Sequence, residues 1–137
     1  MAEHTPYRAE LVTPDGVAFA GDVQIAILPG AAGELGILAN HAPLVSTLDP
    51  GVVSLTDADG ATHRFATDEG YVQVRRSRAL VLVGEAVAAE RIDASEARSR
   101  LDRAREALEQ AEAGAGDVHA ARREAGFAKA LVKTAGR

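Results

Sequence analysis

The chain predicts a β + α fold: an N-terminal antiparallel β-sandwich followed by a C-terminal antiparallel two-helix hairpin. Three observations carry that expectation. Up to Val87, short apolar runs are broken by turn-forming residues; after Asp93 the apolar period becomes helical. No helix-length periodic stretch interrupts the first half, as a βαβ fold would require. The change falls near residue 90, so a β-unit is expected over residues 1–90 and a helical hairpin over 91–137.

The strands follow in order. Tyr7–Thr13 alternates and stops at Pro14-Asp15-Gly16. Val17–Ala20 stops at Gly21-Asp22, and Val23–Leu28 stops at Pro29-Gly30. Gly30–Pro43 reads as a loop before Leu44–Leu48, which ends at Asp49-Pro50-Gly51. Val52–Thr56 leads into Asp57-Ala58-Asp59-Gly60, a hairpin signature because Gly60 takes positive φ without a Cβ clash. Thr62–Ala66, Tyr71–Arg75, Ala79–Val83 and Ala86–Ala88 complete the series.

The second half is helical. Asp93 with Glu96 three residues on forms a capping-box pattern. Ala94, Ala97, Leu101, Ala104, Leu108 and Ala111 then make a heptad seam. Ala113-Gly114-Ala115-Gly116 ends this helix and Asp117 caps the next, whose seam is Val118, Ala121, Ala125, Ala128, Val132 and Ala135. So short a connection makes the helices antiparallel neighbours. A buried methyl contributes only about 0.8 kcal/mol, so an alanine seam lets two helices approach closely without anchoring them. The hairpin is expected to depend on docking against the β-unit or another subunit.

Composition narrows the function. The 137 residues include no cysteine, which removes disulfides and thiolate chemistry and favours an intracellular setting. The start MAEHTPYRAE lacks a basic segment followed by an apolar run, so no secretory signal is expected. No run approaches the roughly 18–20 apolar residues of a membrane span. Net charge is −5, but residues 117–137 hold 5 Lys+Arg against 2 Asp+Glu. The acidic balance argues against nucleic-acid binding, while the last helix suits an acidic partner.

Catalytic signals are absent. His4, His41, His63 and His119 show no metal-ligand spacing and read as surface or loop histidines; no GxSxG, P-loop or GxGxxG occurs. Asp57 and Asp59 read as a solvated turn rather than an acid/base pair, and Arg75-Arg76-Ser77-Arg78 as a basic turn between strands. No catalytic residue, metal site or cofactor is expected. The loop from Gly30 to Pro43 is unusual because it combines glycine bends with Leu35, Ile37 and Leu38. Either these aliphatics form a contact surface, or Leu35 and Ile37 tuck into the sandwich edge.

GELGILANHAPLVSTLDPG resembles the signature of the epsilon-subunit family of F-type ATP synthases, in which Gly-x-Leu-Gly precedes His-Ala-Pro-Leu and a Pro-Gly turn. VTPDGVAFAGDV, ATDEGYVQV, RALVLVGEA and a GDV at the helix–helix turn follow in that family's order, so the resemblance spans essentially the whole chain. It implies a non-catalytic rotor subunit. The sandwich would bind the gamma subunit and the c-ring, and the hairpin would be an inhibitory arm reaching the alpha/beta catalytic hexamer. Attachment would be peripheral, at the cytoplasmic face of the cell membrane, through the complex alone. By motif match Gly33, Glu34, Leu35, Gly36, His41 and Pro43 form the c-ring and gamma contact loop, with Gly33 and Gly36 fixing its bend. Arg122, Arg123, Lys129 and Lys133 are the arm's candidate contacts.

Some relatives bind ATP in the folded arm through Ile/Leu-Asp-x-x-Arg-Ala. Here Ile92 and Asp93 match but Glu96 stands at the arginine position, and Lys129 and Lys133 replace arginines on the second helix. A carboxylate repels phosphate and lysine lacks the bidentate fork, so weak or absent ATP binding is expected. The competing reading is a stand-alone β-sandwich binding module with a coiled-coil interaction tail.

Overall fold

A computed structural model describes residues 4–136. Nine strands precede two helices among them: β1 (Tyr7–Thr13), β2 (Gly16–Gly30), β3 (Gly33–Ile37), β4 (Leu44–Leu48), β5 (Gly51–Asp57), β6 (Thr62–Thr67), β7 (Gly70–Arg75), β8 (Arg78–Val83) and β9 (Ala86–Ala88). A 3-10 turn (Ala89–Arg91) leads to α1 (Ala94–Glu112) and α2 (Val118–Gly136). The strand path is β1-β8-β7-β4-β2-β5-β6-β9, with β3 and β1 also paired to β2. β2 is the corner of a sandwich. One layer is β1-β8-β7-β4; the other is β3-β2-β5-β6-β9. Leu11, Val72 and Val81 of the first layer share one buried cluster with Leu28, Val53 and Leu55 of the second. Alternation puts these side chains inward and their neighbours outward.

Three differences from the sequence expectation have physical causes. Gly21-Asp22 is not a turn, because Gly21 pairs with Ala9 and Asp22 with Arg8, and the ladder with β1 overrides two weak strand formers. The stretch expected as a loop contains β3, antiparallel to β2 from Ala26↔Ile37 to Gly30↔Gly33. β1 and β8 run parallel, so the sandwich is not wholly antiparallel. Such a pair needs a long crossover, here the intervening strands of both layers.

The helices obey the expected caps. Glu96 N donates to Asp93 Oδ1 at 3.0 Å and Ala120 N to Asp117 Oδ1 at 3.1 Å. Leu101, Ala104 and Ala128 close the seam between them. α2 has a second apolar face that the heptad did not reveal: Phe127, Ala130 and Leu131 pack on Ala66 of β6, with Val87 and Ile92 at the margin. The hairpin therefore lies on the outer side of β5 and β6.

Candidate functional site

The family-motif residues divide between two ends of β3. At one end, Gly30 and Gly33 flank the two-residue turn Ala31-Ala32. Gly33 holds φ 133°, and a Cβ on Gly30 would lie 2.5 Å from the Gly33 carbonyl oxygen. Glu34 is exposed beside this turn. At the other end Asn40 adopts φ 63°, His41 N donates to Leu38 O at 3.2 Å, and His41 Nδ1 donates to Ala42 O at 2.8 Å. Pro43 is exposed next to it. Four strand steps at about 3.3 Å each separate Gly33 from Ile37, so Gly33 and Glu34 do not share one loop with His41 and Pro43. Gly33 makes the bend; Gly36 is an extended, exposed residue paired with Ile27 and bends nothing.

The aliphatics between these ends face inward. Ile37 is in the core, and Leu35 is half-buried against it. The buried Tyr7 hydroxyl donates to Ile37 O at 2.6 Å, and burial pushes this phenol up to about 12. The choice left open by the sequence thus falls to tucking for Leu35 and Ile37, with Leu38 still 39% exposed.

The hairpin's basic residues also divide. Arg123 approaches Asp68 and Glu69, each at 3.7 Å, and His119 lies 3.7 Å from Glu69. These contacts tie α2 to the β6–β7 connection. Arg122 meets Glu112 of α1 at 3.5 Å. Lys129 and Lys133 are exposed. At 3.6 residues per turn they stand on the side of α2 away from Glu124 and Leu131.

Glu124 and Leu131 line a cleft of about 860 Å³ between the helices and the 3-10 turn, together with Ile92, Asp93, Glu96, Arg100 and Arg103. The structure therefore brings Ile92 and Asp93 to a cleft but leaves Lys129 and Lys133 outside it. Arg100 holds Glu124 through two bonds, Nε to Oε2 at 2.7 Å and Nη2 to Oε1 at 3.0 Å. Its guanidinium also lies 5.0 Å from the Phe127 ring centroid. The bonds to Glu124 raise the Arg100 pKa above its ordinary value. Sequence reasoning missed this clasp; Arg100 and Glu124 are 24 residues apart and meet only when the hairpin closes.

His63 is also more engaged than expected: Nε2 lies 2.8 Å from Asp57 Oδ2, and its ring is 5.1 Å from that of Phe19. Asp57 Oδ1 accepts from Asp59 N at 2.9 Å and Ala61 N at 3.0 Å. The His63 bond, then the backbone bond from Ala61, hold the Asp57 carboxyl below the usual carboxylate range. Among the described residues no three His, Cys, Asp or Glu converge as metal ligands, and no helix is long and apolar enough to cross a membrane.

Residues 6–89 match the family profile for the ATP synthase delta/epsilon chain, beta-sandwich domain. The chain is 42% identical over 105 residues to the ATP synthase epsilon chain of Sulfurovum sp., covering 77% of this chain and 81% of that one. It is 37% identical over 102 residues to the epsilon chain of Dichelobacter nodosus, covering 72% and 71%. In fold it is similar to a chain of the Euglena gracilis mitochondrial ATP synthase, with TM-score 0.75 and 21% identity over 96% of this chain and 83% of that one. A chain of the Tetrahymena thermophila central stalk/c-ring structure aligns with TM-score 0.60 and 16% identity over 97% and 98%.

Proposed function

This chain belongs to the ATP synthase delta/epsilon family, and from that premise we propose that it is a non-catalytic subunit of the rotor's central stalk. The sandwich, residues 1–90, binds the gamma subunit and the c-ring and helps to couple proton flow to ATP synthesis. The hairpin, residues 91–137, is a regulatory arm that restrains ATP hydrolysis by extending toward the alpha/beta hexamer. Attachment is peripheral, through the complex, at the cytoplasmic face of the membrane.

One observation carries the division of labour. The sandwich core and the hairpin's docking contacts are separate clusters, and the docking cluster is small: Ala66, Ala97, Phe127, Ala130 and Leu131. An arm held this way can leave without opening the core. Once it leaves, Arg123 is freed from Asp68 and Glu69 and joins Arg122, Lys129 and Lys133 as cations for an acidic catalytic-subunit segment. Deleting residues 93–137 is expected to raise ATP hydrolysis of the assembled complex while the stalk still forms; unchanged hydrolysis overturns the regulatory half of this reading. Glu34→Lys, at the β2–β3 turn, is expected to impair coupling in membrane vesicles.

Nucleotide is not the latch on this reading. Glu96 and the Arg100–Glu124 clasp share the cleft, and the two lysines face elsewhere. Calorimetric titration with ATP is expected to show no tight binding.

A further inference from the structure

α2 crosses the sandwich over the connection between β4 and β5, and it carries a glycine where it does so. Gly126 lies inside the helix with an ordinary helical backbone, so no dihedral calls for a glycine there. Ala125, Ala128 and Ala130 are what the same helix uses around it. A mid-helix glycine weakens a helix about fivefold relative to alanine, so it needs a compensating gain. The gain is space. A Cβ on Gly126 would lie 3.2 Å from Pro50 Cβ and 3.4 Å from Pro50 Cγ. Pro50 has little freedom to yield. Its ring has no side-chain rotation, and both of its neighbours are tied to the sandwich: Asp49 N donates to Pro29 O at 2.9 Å, and Thr67 Oγ1 donates to Gly51 O at 3.2 Å. Gly51 is wedged as well, since a Cβ there would lie 2.6 Å from Pro29 Cβ.

The bare backbone at 126 lets α2 lie low on this turn. Phe127 is the next residue, and with Ala130 and Leu131 it packs on Ala66 of β6. Lifting the helix thins all of these contacts together, because a gap of about 0.5–1 Å forfeits about a quarter to a half of the dispersion attraction. We infer that the Gly126–Pro50 contact is the seat that holds the hairpin down, and that its fit sets the proportion of docked to released arm. A helix in the released hairpin gains as much from alanine at 126 as a docked one does. That gain cancels between the two states, and only the clash with Pro50 tells them apart. The released arm is the regulatory state proposed above, and the seat draws its regulatory meaning from that reading.

The chain has no cysteine, so Thr134→Cys supplies a single thiol. Thr134 is fully buried, and Arg64 Nη1 of β6 donates to its backbone O at 3.5 Å, so it lies on the docked side of α2. In the full chain, the rate at which a water-soluble maleimide labels this thiol reads the released fraction. Adding Gly126→Ala is expected to speed labelling about tenfold, with helical circular dichroism undiminished. Alanine strengthens the helix, so the faster rate does not come from an unravelled α2. Pro50→Gly clears the space beneath the helix. In that background Gly126→Ala is expected not to raise the rate by more than about twofold. Unchanged or slower labelling of Gly126→Ala beside Pro50 overturns the inference, as does an equal acceleration in both backgrounds. Under the proposed function Gly126→Ala also lowers ATP hydrolysis of the assembled complex, because more arms are free to extend. Faster labelling with unchanged hydrolysis sinks the regulatory reading and leaves the seat standing. Hydrolysis that rises on deleting residues 93–137, with labelling indifferent to Gly126→Ala, sinks the inference alone.

Discussion

Gly30 and Gly33 each resist a side chain where β2 turns into β3, the first for want of space and the second for its backbone angle. One would drive a Cβ against a carbonyl oxygen, and the other sits at φ 133°. Gly30→Ala is expected to destabilise the chain by about 1–3 kcal/mol, seen as a lower urea midpoint at unchanged slope. Asp57 is a sandwich carboxylate whose charge is held by its neighbours. Its carboxyl is held below the ordinary value by His63 first and the turn's backbone second. A depressed carboxylate adds stability above the unfolded pKa of about 3.9 and loses it as pH falls through the folded value. The Tm advantage of wild type over Asp57→Asn is therefore expected to persist at neutral pH and to shrink below about pH 4. The Asp57 turn was legible because Asp-x-x-Gly between two β-runs has a local mechanism. The His63 contact was not, because it depends on the register that sets Thr56 opposite Thr62.

At the scale of elements, α2 decides whether the arm stays down. Its seam toward α1 could be read from heptads, since a period of 3.5 is a property of the sequence. Its second face could not, because Phe127, Ala130, Leu131 and Thr134 gain meaning only from the strand they meet. β3 stayed hidden for the same reason: two glycines read as loop until β2 supplies the hydrogen bonds. Phe127 is 2% exposed and central to the docking cluster. Phe127→Ala is expected to cost about 3–5 kcal/mol, concentrated in the hairpin. Hydrogen exchange should then speed up in α1 and α2 while β7 and β8 stay protected. Thr134 Oγ1 is buried without a partner among the described residues. Thr134→Val removes that unmet group at nearly constant volume and is expected to slow α2 exchange, by about 1 kcal/mol.

Across the whole molecule the question is what joins the two halves, and magnitudes settle it. The ion pairs at the junction, Arg123 with Asp68 and Glu69 and His119 with Glu69, all lie at 3.7 Å, and of their side chains only that of Asp68 is largely covered. Pairs of that kind contribute about 0–1 kcal/mol and fade with salt. A single buried phenylalanine or leucine contributes about 1.5–3 kcal/mol, so Phe127 and Leu131 carry the docking and the charges orient it. High salt alone should then fail to release the arm. The sandwich, by contrast, closes its own core from both layers without a helical residue. A chain ending at residue 92 is expected to unfold cooperatively, with a β-rich circular dichroism spectrum and a Tm a few degrees below that of the full chain. The loss is bounded by the small apolar area that Ala66 and Val87 expose when α2 is gone. A truncated chain with no cooperative transition would make the hairpin part of the folding unit, and an arm needed for folding could not swing free as a regulator.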